Sequence, residues 1–225
     1  MATFVLIHSP LVGALTWGPT ALALRQQGHA AIVADLFDAP NPQLPYWRQH
    51  AQSVAVRGAE RPILVGHSGA GPLLPAIRKM LNRPVGGYIF VDSDLPQDGA
   101  SRLDLFASEE EAQQFRESAV DGLLPVWTAD DLREVIPNDP IRLQFAAELR
   151  PLPLAVYEEP LPVFVGFPDA PAAYLHLSPA YDRSARRAQE RGWGYLHRDG
   201  GHFLMLVQPD VVAAALIDRA QSMPV

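Results

Sequence analysis

The feature that most constrains this chain is a rhythm. Short, continuous apolar runs alternate with segments patterned as helices. Thr3–Ile7, Ala30–Ala34, Pro62–Val65 and Tyr88–Val91 each hold four or five mostly apolar residues without the polar alternation of a half-exposed strand. Such runs suit strands buried on both faces, as in a parallel sheet covered by helices. Between them, Pro19–Gln27 reads as a helix closed by Gly28, Phe37–Pro45 as a proline-rich loop, and Tyr46–Val56 and Ala70–Leu81 as further helices. Strands alternating with helices predict an α/β fold with a doubly wound, mostly parallel sheet of about six strands.

The rhythm breaks between about 95 and 160, where no strand is expected. Ser108-Glu-Glu-Glu111 is a capping box ahead of a helix to about Ala119, and Thr128 to Asp131 resembles another. Asp139-Pro140 reads as an N-cap and N1 pair for a helix to about Leu149. The alternation resumes with a strand over Ala173–Leu177, preferred to Pro162–Phe167, and a helix over Tyr181–Arg191 ended by Gly192. A strand over Trp193–His197 and a helix over Asp210–Ala220 follow. The expected organisation is a single domain over 1–225, with 95–160 a helical cap inserted before the last two strands.

Composition narrows the chemistry. Of 225 residues, 48% are hydrophobic and 19% charged, which are globular values. The chain has no cysteine, which excludes a thiol nucleophile, a disulfide scaffold and a cysteine-ligated metal. A net charge of −7 argues against nucleic acid as a partner. No apolar run reaches the ~18 residues that span a bilayer, and the N-terminus reads as a first strand, not a signal peptide. A cytoplasmic protein acting on a small molecule is expected, with self-association into a homodimer left open. The chain contains 22 prolines, about twice the ~5% average, and these must fall outside regular elements.

The strongest local signal is Ile63-Leu-Val-Gly-His-Ser-Gly-Ala-Gly71: strand, then Gly-x-Ser-x-Ala, then helix. A serine in this context sits on a sharp turn that lifts its oxygen above the sheet edge, with small residues needed on either side. The helix that follows aims its N-terminal N–H groups at the same point. Serine needs a base. His202, in Gly200-Gly-His-Phe203, follows the last strand, and strand C-termini of a parallel sheet open on one edge. His202 and Ser68 are therefore expected to meet. His67 is expected to project away from Ser68.

Together, the His8-Ser9 turn after the first strand, the Ser68 elbow, the helical middle segment and the late Gly-His resemble a small α/β-hydrolase-fold enzyme. The resemblance runs nearly the whole length. It is to the compact branch that contains plant methylesterases, hydroxynitrile lyases and small bacterial relatives, with the chain starting at what is that fold's third strand. It implies a triad in the order Ser, acid, His. The usual acid position is the turn after the strand that follows the cap. Here that turn is Ser178-Pro-Ala-Tyr181, without a carboxylate. Asp92, closing the strand after the elbow helix, is preferred, with Asp182 and Asp169 as alternatives. One oxyanion donor is expected to be the Gly69 N–H. The other falls at Pro10, which has no N–H, so the Leu11 N–H or the Ser9 hydroxyl is expected to substitute. Phe203 stands where hydroxynitrile lyases place a lysine, which disfavours that activity. Trp17 and Trp127 are candidate pocket residues. Phe106, Phe115, Leu123, Leu124, Phe145 and Leu149 are expected mostly to pack the cap on the sheet.

The leading expectation is a serine hydrolase of small, fairly apolar esters, thioesters or lactones, needing no cofactor or metal. A lyase, isomerase or cyclase using Ser68 and His202 as an acid–base pair is the alternative. A dinucleotide binder built on Gly66, Gly69, Gly71 and Asp92 lacks the usual glycine spacing. An inactive binding module is the remaining reading.

Overall fold

The computed structural model describes residues 1–37, 41–54 and 60–223. Its strands are β1 (Thr3–Ile7), β2 (Ala30–Ala34), β3 (Ile63–His67), β4 (Gly87–Val91), β5 (Leu123–Leu124), β6 (Leu152–Pro153), β7 (Ala172–His176) and β8 (Gly194–His197). Six form one sheet in the order β2-β1-β3-β4-β7-β8, and every pairing in it is parallel. The helices are α1 (Gly18–Gln26), α2 (Tyr46–Ser53), α3 (Leu74–Leu81), α4 (Glu109–Glu117), α5 (Asp139–Glu148), α6 (Ala155–Glu158), α7 (Asp182–Glu190), α8 (Leu204–Val207) and α9 (Pro209–Gln221).

The continuous apolar runs have the cause expected of them. Alternate residues point to opposite faces, and both faces are covered. Phe4, Leu6, Val65, Ile89 and Val91 pack with Ala21 and Leu24 of α1 and Val212, Ala213 and Leu216 of α9. Val5, Ile7, Leu64, Tyr88 and Phe90 pack on the other side with Leu74 and Ile77 of α3 and Ala185 and Ala188 of α7. Each fully buried leucine or phenylalanine contributes about 1.5–3 kcal/mol over its exposed state. This two-sided core makes a rigid platform of the strand ends.

Several elements differ from expectation, each for a local reason. The predicted helix over 70–81 starts as a 3₁₀ stretch, Ser68–Leu73, and becomes α-helical only at Leu74. Pro72 lies in that stretch and Pro75 in the first turn of α3, where the missing N–H costs nothing. The predicted helix over 46–56 ends at Ser53, and residues 55 and 56 lie outside the described residues. The box at Thr128 forms, with the Thr128 N–H and hydroxyl donating to Asp131 and the Asp131 N–H returned to Thr128. Only turns follow it, because Asn138 already caps the next helix. Asn138, not Asp139, is that N-cap, accepting the Ile141 N–H at 3.0 Å. The segment expected to lack strands contains the pair β5–β6, two residues each and antiparallel, too short to leave a periodic signal. Ser108 does cap α4, accepting the Glu111 N–H at 3.1 Å.

Candidate active site

Five chain segments deliver polar side chains to one edge of the sheet: the turns after β1, β3, β4, β7 and β8. Ser68 follows β3 with φ of 54°, in the left-handed region that a non-glycine residue enters only at a cost. The turn closes because nothing obstructs it. A Cβ on Gly66 would stand 3.0 Å from the Gly71 Cα, so these two backbones pass in contact. The Ser93 hydroxyl donates to the Ser68 carbonyl at 2.7 Å and fixes the elbow from the next strand. These close approaches account for the glycines that the dinucleotide reading invoked.

Asp92 follows β4 and is also left-handed, with φ of 43°, and it is fully buried. One carboxylate oxygen accepts the N–H groups of Leu177 and Ser178, both at 2.9 Å. The other accepts the Ser178 hydroxyl and stands 2.8 Å from His202 Nδ1. Burial alone would raise the carboxyl pKa. The bond and charge of His202, with the bonds from Ser178 and Leu177, outweigh it and hold the pKa below the ordinary 3.8. An ionised Asp92 only accepts, so His202 Nδ1–H is the donor in this bond. The His202 side chain is 27% exposed.

The other carboxylates lie elsewhere. Asp182 is 54% exposed and pairs with His176 at 3.1 Å. Asp169 accepts the Tyr88 hydroxyl and pairs with Arg78 at 2.7 Å, before β7 at the opposite sheet edge. Neither has a hydrogen bond to His202.

The corner around Gly69 is lined by hydroxyls. The Leu11 N–H donates to the Ser9 Oγ at 3.4 Å, so the two candidate donors after β1 lie together. Ser9 and Tyr157 flank Gly69: a Cβ on Gly69 would lie 3.2 Å from the Ser9 Oγ and 2.9 Å from the Tyr157 hydroxyl oxygen. Burial pushes the Tyr157 phenol up, keeping it protonated. Arg102, itself buried, ties this corner together by donating Nε to the Gly69 carbonyl and Nη1 to the Val156 carbonyl, both at 2.8 Å.

Two aromatic residues, Tyr157 and Tyr181, escaped sequence reasoning. Tyr181 places its hydroxyl 3.1 Å from Ser68 Oγ and stacks on His202, rings 5.3 Å apart and 11° from parallel. Burial raises its phenol pKa too. The only advance signal was its place in the turn that ought to have held an acid. The fully buried His67 packs its ring 4.4 Å from that of His202 and bonds through Nε2 to the His202 carbonyl at 3.1 Å. Burial, then His202, depresses its pKa, so His67 is a neutral support. Trp17 requires a correction: it is wholly buried and packs edge-on to His67, 6.1 Å between ring centres, so it cannot line a pocket. Trp127 is 40% exposed, its ring 6.5 Å from that of Phe203. Phe145 is buried against Phe203, and Phe106 and Phe115 pack on each other.

This edge and its parallel sheet are matched by the alpha/beta hydrolase family over residues 4–215. The chain belongs to the alpha/beta hydrolase family. Among solved structures, it is similar to an extracellular α/β-hydrolase from a Paenibacillus species, described as homologous to tobacco salicylic acid binding protein 2. That match has a TM-score of 0.78 and 21% identity, covering 97% of this chain and 99% of the other. A pyrethroid hydrolase from Sphingobium faniae gives 0.72 at 17% identity, with 98% of each chain covered. Tomato methylketone synthase I, in complex with 2-tridecanone, gives 0.75 at 16% identity, with 99% of each covered. At these identities the likeness is one of fold. No curated protein matches by sequence. Among the described residues no helix is long and apolar enough to cross a membrane.

Proposed function

We propose that this alpha/beta hydrolase is a serine hydrolase acting on a small, fairly apolar ester, thioester or lactone. The observation that carries this reading is the Asp92–His202 bond at 2.8 Å on the same sheet edge as the left-handed Ser68. In this reading His202 Nε2 takes the Ser68 proton as the oxygen attacks the carbonyl carbon, and returns it to the leaving group. Asp92 stabilises the imidazolium and fixes its tautomer. The developing oxyanion meets the Gly69 N–H, which lies in the first turn of a helical stretch and lacks an intrahelical acceptor. The hydroxyls of Ser9 and Tyr157 supply what Pro10 cannot. Water activated by His202 then releases the acyl group. The segment 95–160 acts as a cap, contributing Tyr157 and Arg102 to the site. Before the attack, Ser68 must exchange its bond to Tyr181 for one to His202.

That bond also favours a second reading. A Ser68–Tyr181 hydroxyl pair beside His202 is suited to proton transfer without an acyl-enzyme, as in a lyase or isomerase. A fluorophosphonate probe separates the two. Stoichiometric labelling of Ser68, with p-nitrophenyl acetate hydrolysis lost in Ser68→Ala, is the expected result. A protein that turns over no ester and takes no label overturns the hydrolase reading.

A further inference from the structure

Among the described residues two arginines are buried, and their charges are met differently. Arg142 is paired with Asp139 and donates to the Ile136 carbonyl at 2.9 Å. Arg102, 2% exposed, has no carboxylate partner among the described residues. Its Nε and Nη1 go to backbone carbonyls, those of Gly69 and Val156, and its Nη2 has no acceptor there. Three titratable groups face it: Tyr157 of α6, Glu159 just past α6, and His50 of α2. Glu159 accepts the Tyr46 N–H at 2.9 Å and makes no ion pair with Arg102. His50 is neutral, its pKa depressed to about 3.

A neutral donor would satisfy two carbonyls. Burying a cation without a paired anion is strongly unfavourable, and arginine does not escape by losing its proton. The place of the charge gives it a use. Nε bonds the carbonyl of Gly69, the residue whose own N–H is the proposed oxyanion donor. The guanidinium carbon lies 5.7 Å from the centre of the Tyr157 ring, and its charge opposes the rise that burial imposes on that phenol, which strengthens the hydroxyl as a donor. Arg102 thus touches both Gly69 and Tyr157, on the side of the site where Pro10 withholds an N–H. A fixed cation in a water-poor site stabilises a developing anion far more than it would in water.

We propose that Arg102 is a positioning residue for the oxyanion, its buried charge acting through Gly69 and Tyr157 on the negative charge that forms at the Gly69 N–H. This rests on the acyl-transfer reading of Ser68. Steady-state hydrolysis of p-nitrophenyl acetate by Arg102→Gln and Arg102→Lys, run beside urea midpoints, tests it. Arg102→Gln keeps a side-chain donor but loses the charge. Its kcat should fall about 10²-fold, as on loss of an oxyanion donor, with KM within about threefold. Arg102→Lys keeps the charge and should recover at least about tenfold of that loss at neutral pH. A buried ammonium loses its proton more readily than a guanidinium, so kcat of Arg102→Lys should also fall at alkaline pH where wild type stays level. A residue that only ties the insert to the elbow would give no such limb, and the limb carries the test if Arg102→Gln does not fold. A kcat of Arg102→Gln within about threefold of wild type, no recovery in Arg102→Lys, or a level alkaline profile in Arg102→Lys would each overturn the role of Arg102 alone. A wild-type protein that turns over no ester removes the acyl-transfer reading and this assignment with it.

Discussion

The turns that end β4 and β7 lie side by side and divide one task between them. The β4 turn supplies a carboxylate, Asp92, held in a left-handed backbone and buried completely. The β7 turn, where the fold ordinarily keeps its acid, supplies donors: the N–H groups of Leu177 and Ser178 and the Ser178 hydroxyl all point at Asp92. The vacated position is not idle, because Tyr181 from the same turn covers His202 and reaches Ser68. A buried carboxylate is tolerable only when hydrogen-bonded. A carboxylate buried at the end of β4 therefore requires the β7 turn to serve as its hydrogen-bonding shell. The two turns form one unit, and altering either should be felt at His202.

The largest expected effect comes from Asp92→Asn. The amide keeps the shape but supplies an N–H where His202 needs an acceptor, so the wrong tautomer is favoured. Ester turnover should fall about 10³–10⁴-fold, or about 4–5.5 kcal/mol of transition-state stabilisation. The comparison sharpens if the acid is moved across. Because Ser178 Oγ touches the same Asp92 oxygen as His202, adding Ser178→Asp to Asp92→Asn should recover at least tenfold of the lost kcat. If Asp92→Asn turns over esters at the wild-type rate, the division of labour between the turns is refuted.

What could be read in the sequence follows from how local each feature is. Ser68 was legible because strand, turn and helix are contiguous, and close packing of Gly66 on Gly71 leaves a spacing that a reader can see. The six strands were legible because burial on both faces writes an unbroken apolar run. The acid was not settled, since Asp92, Asp169 and Asp182 all adjoin strands. Only the meeting of the β4 and β7 turns separates them in space. Tyr157 and Tyr181 carry no motif. Their hydroxyls matter through what they approach across more than 80 residues of chain, at Gly69 and Ser68. The Thr128 box shows the converse: a local signal that is made in full, yet is followed by no helix because Asn138 starts another.

Asp92 and His50 are both buried and both shifted downward, but they titrate in different windows. His50 is neutral when folded, with its pKa at about 3 against 6.5 when unfolded. As pH falls below 6.5 the unfolded chain binds a proton that the folded one refuses. Stability is therefore complete above 6.5 and declines towards pH 3 by up to about 1.4 kcal/mol per unit from this group. Asp92, also depressed, contributes stability that is full above 3.8 and is lost as pH falls further through its folded pKa. Urea midpoints measured from pH 7 to 3 should show a shallower decline in His50→Leu across the upper window. Asp92→Asn should change the slope only below about 4. The buried, depressed His67 leaves part of the upper slope in place. Identical slopes in wild type and His50→Leu would show that His50 is not held neutral.

The smallest expected effect is also the one that best discriminates between mechanisms. Tyr181→Phe removes the hydroxyl on Ser68 but keeps a ring to stack on His202, so the geometry of the Asp92–His202 pair should survive. If Ser68 is a nucleophile, its bond to Tyr181 is one it must leave before attack. Losing that bond frees the serine for His202, and ester kcat should change by less than about threefold in either direction. That amounts to no more than about 0.7 kcal/mol. If the Ser68–Tyr181 pair itself carries the proton, the same substitution removes a reacting group and should cost the 10²–10⁴-fold typical of general acid–base catalysis. The size of the change, measured by steady-state ester hydrolysis, therefore tells whether the β7 turn only supports the site or takes part in the reaction.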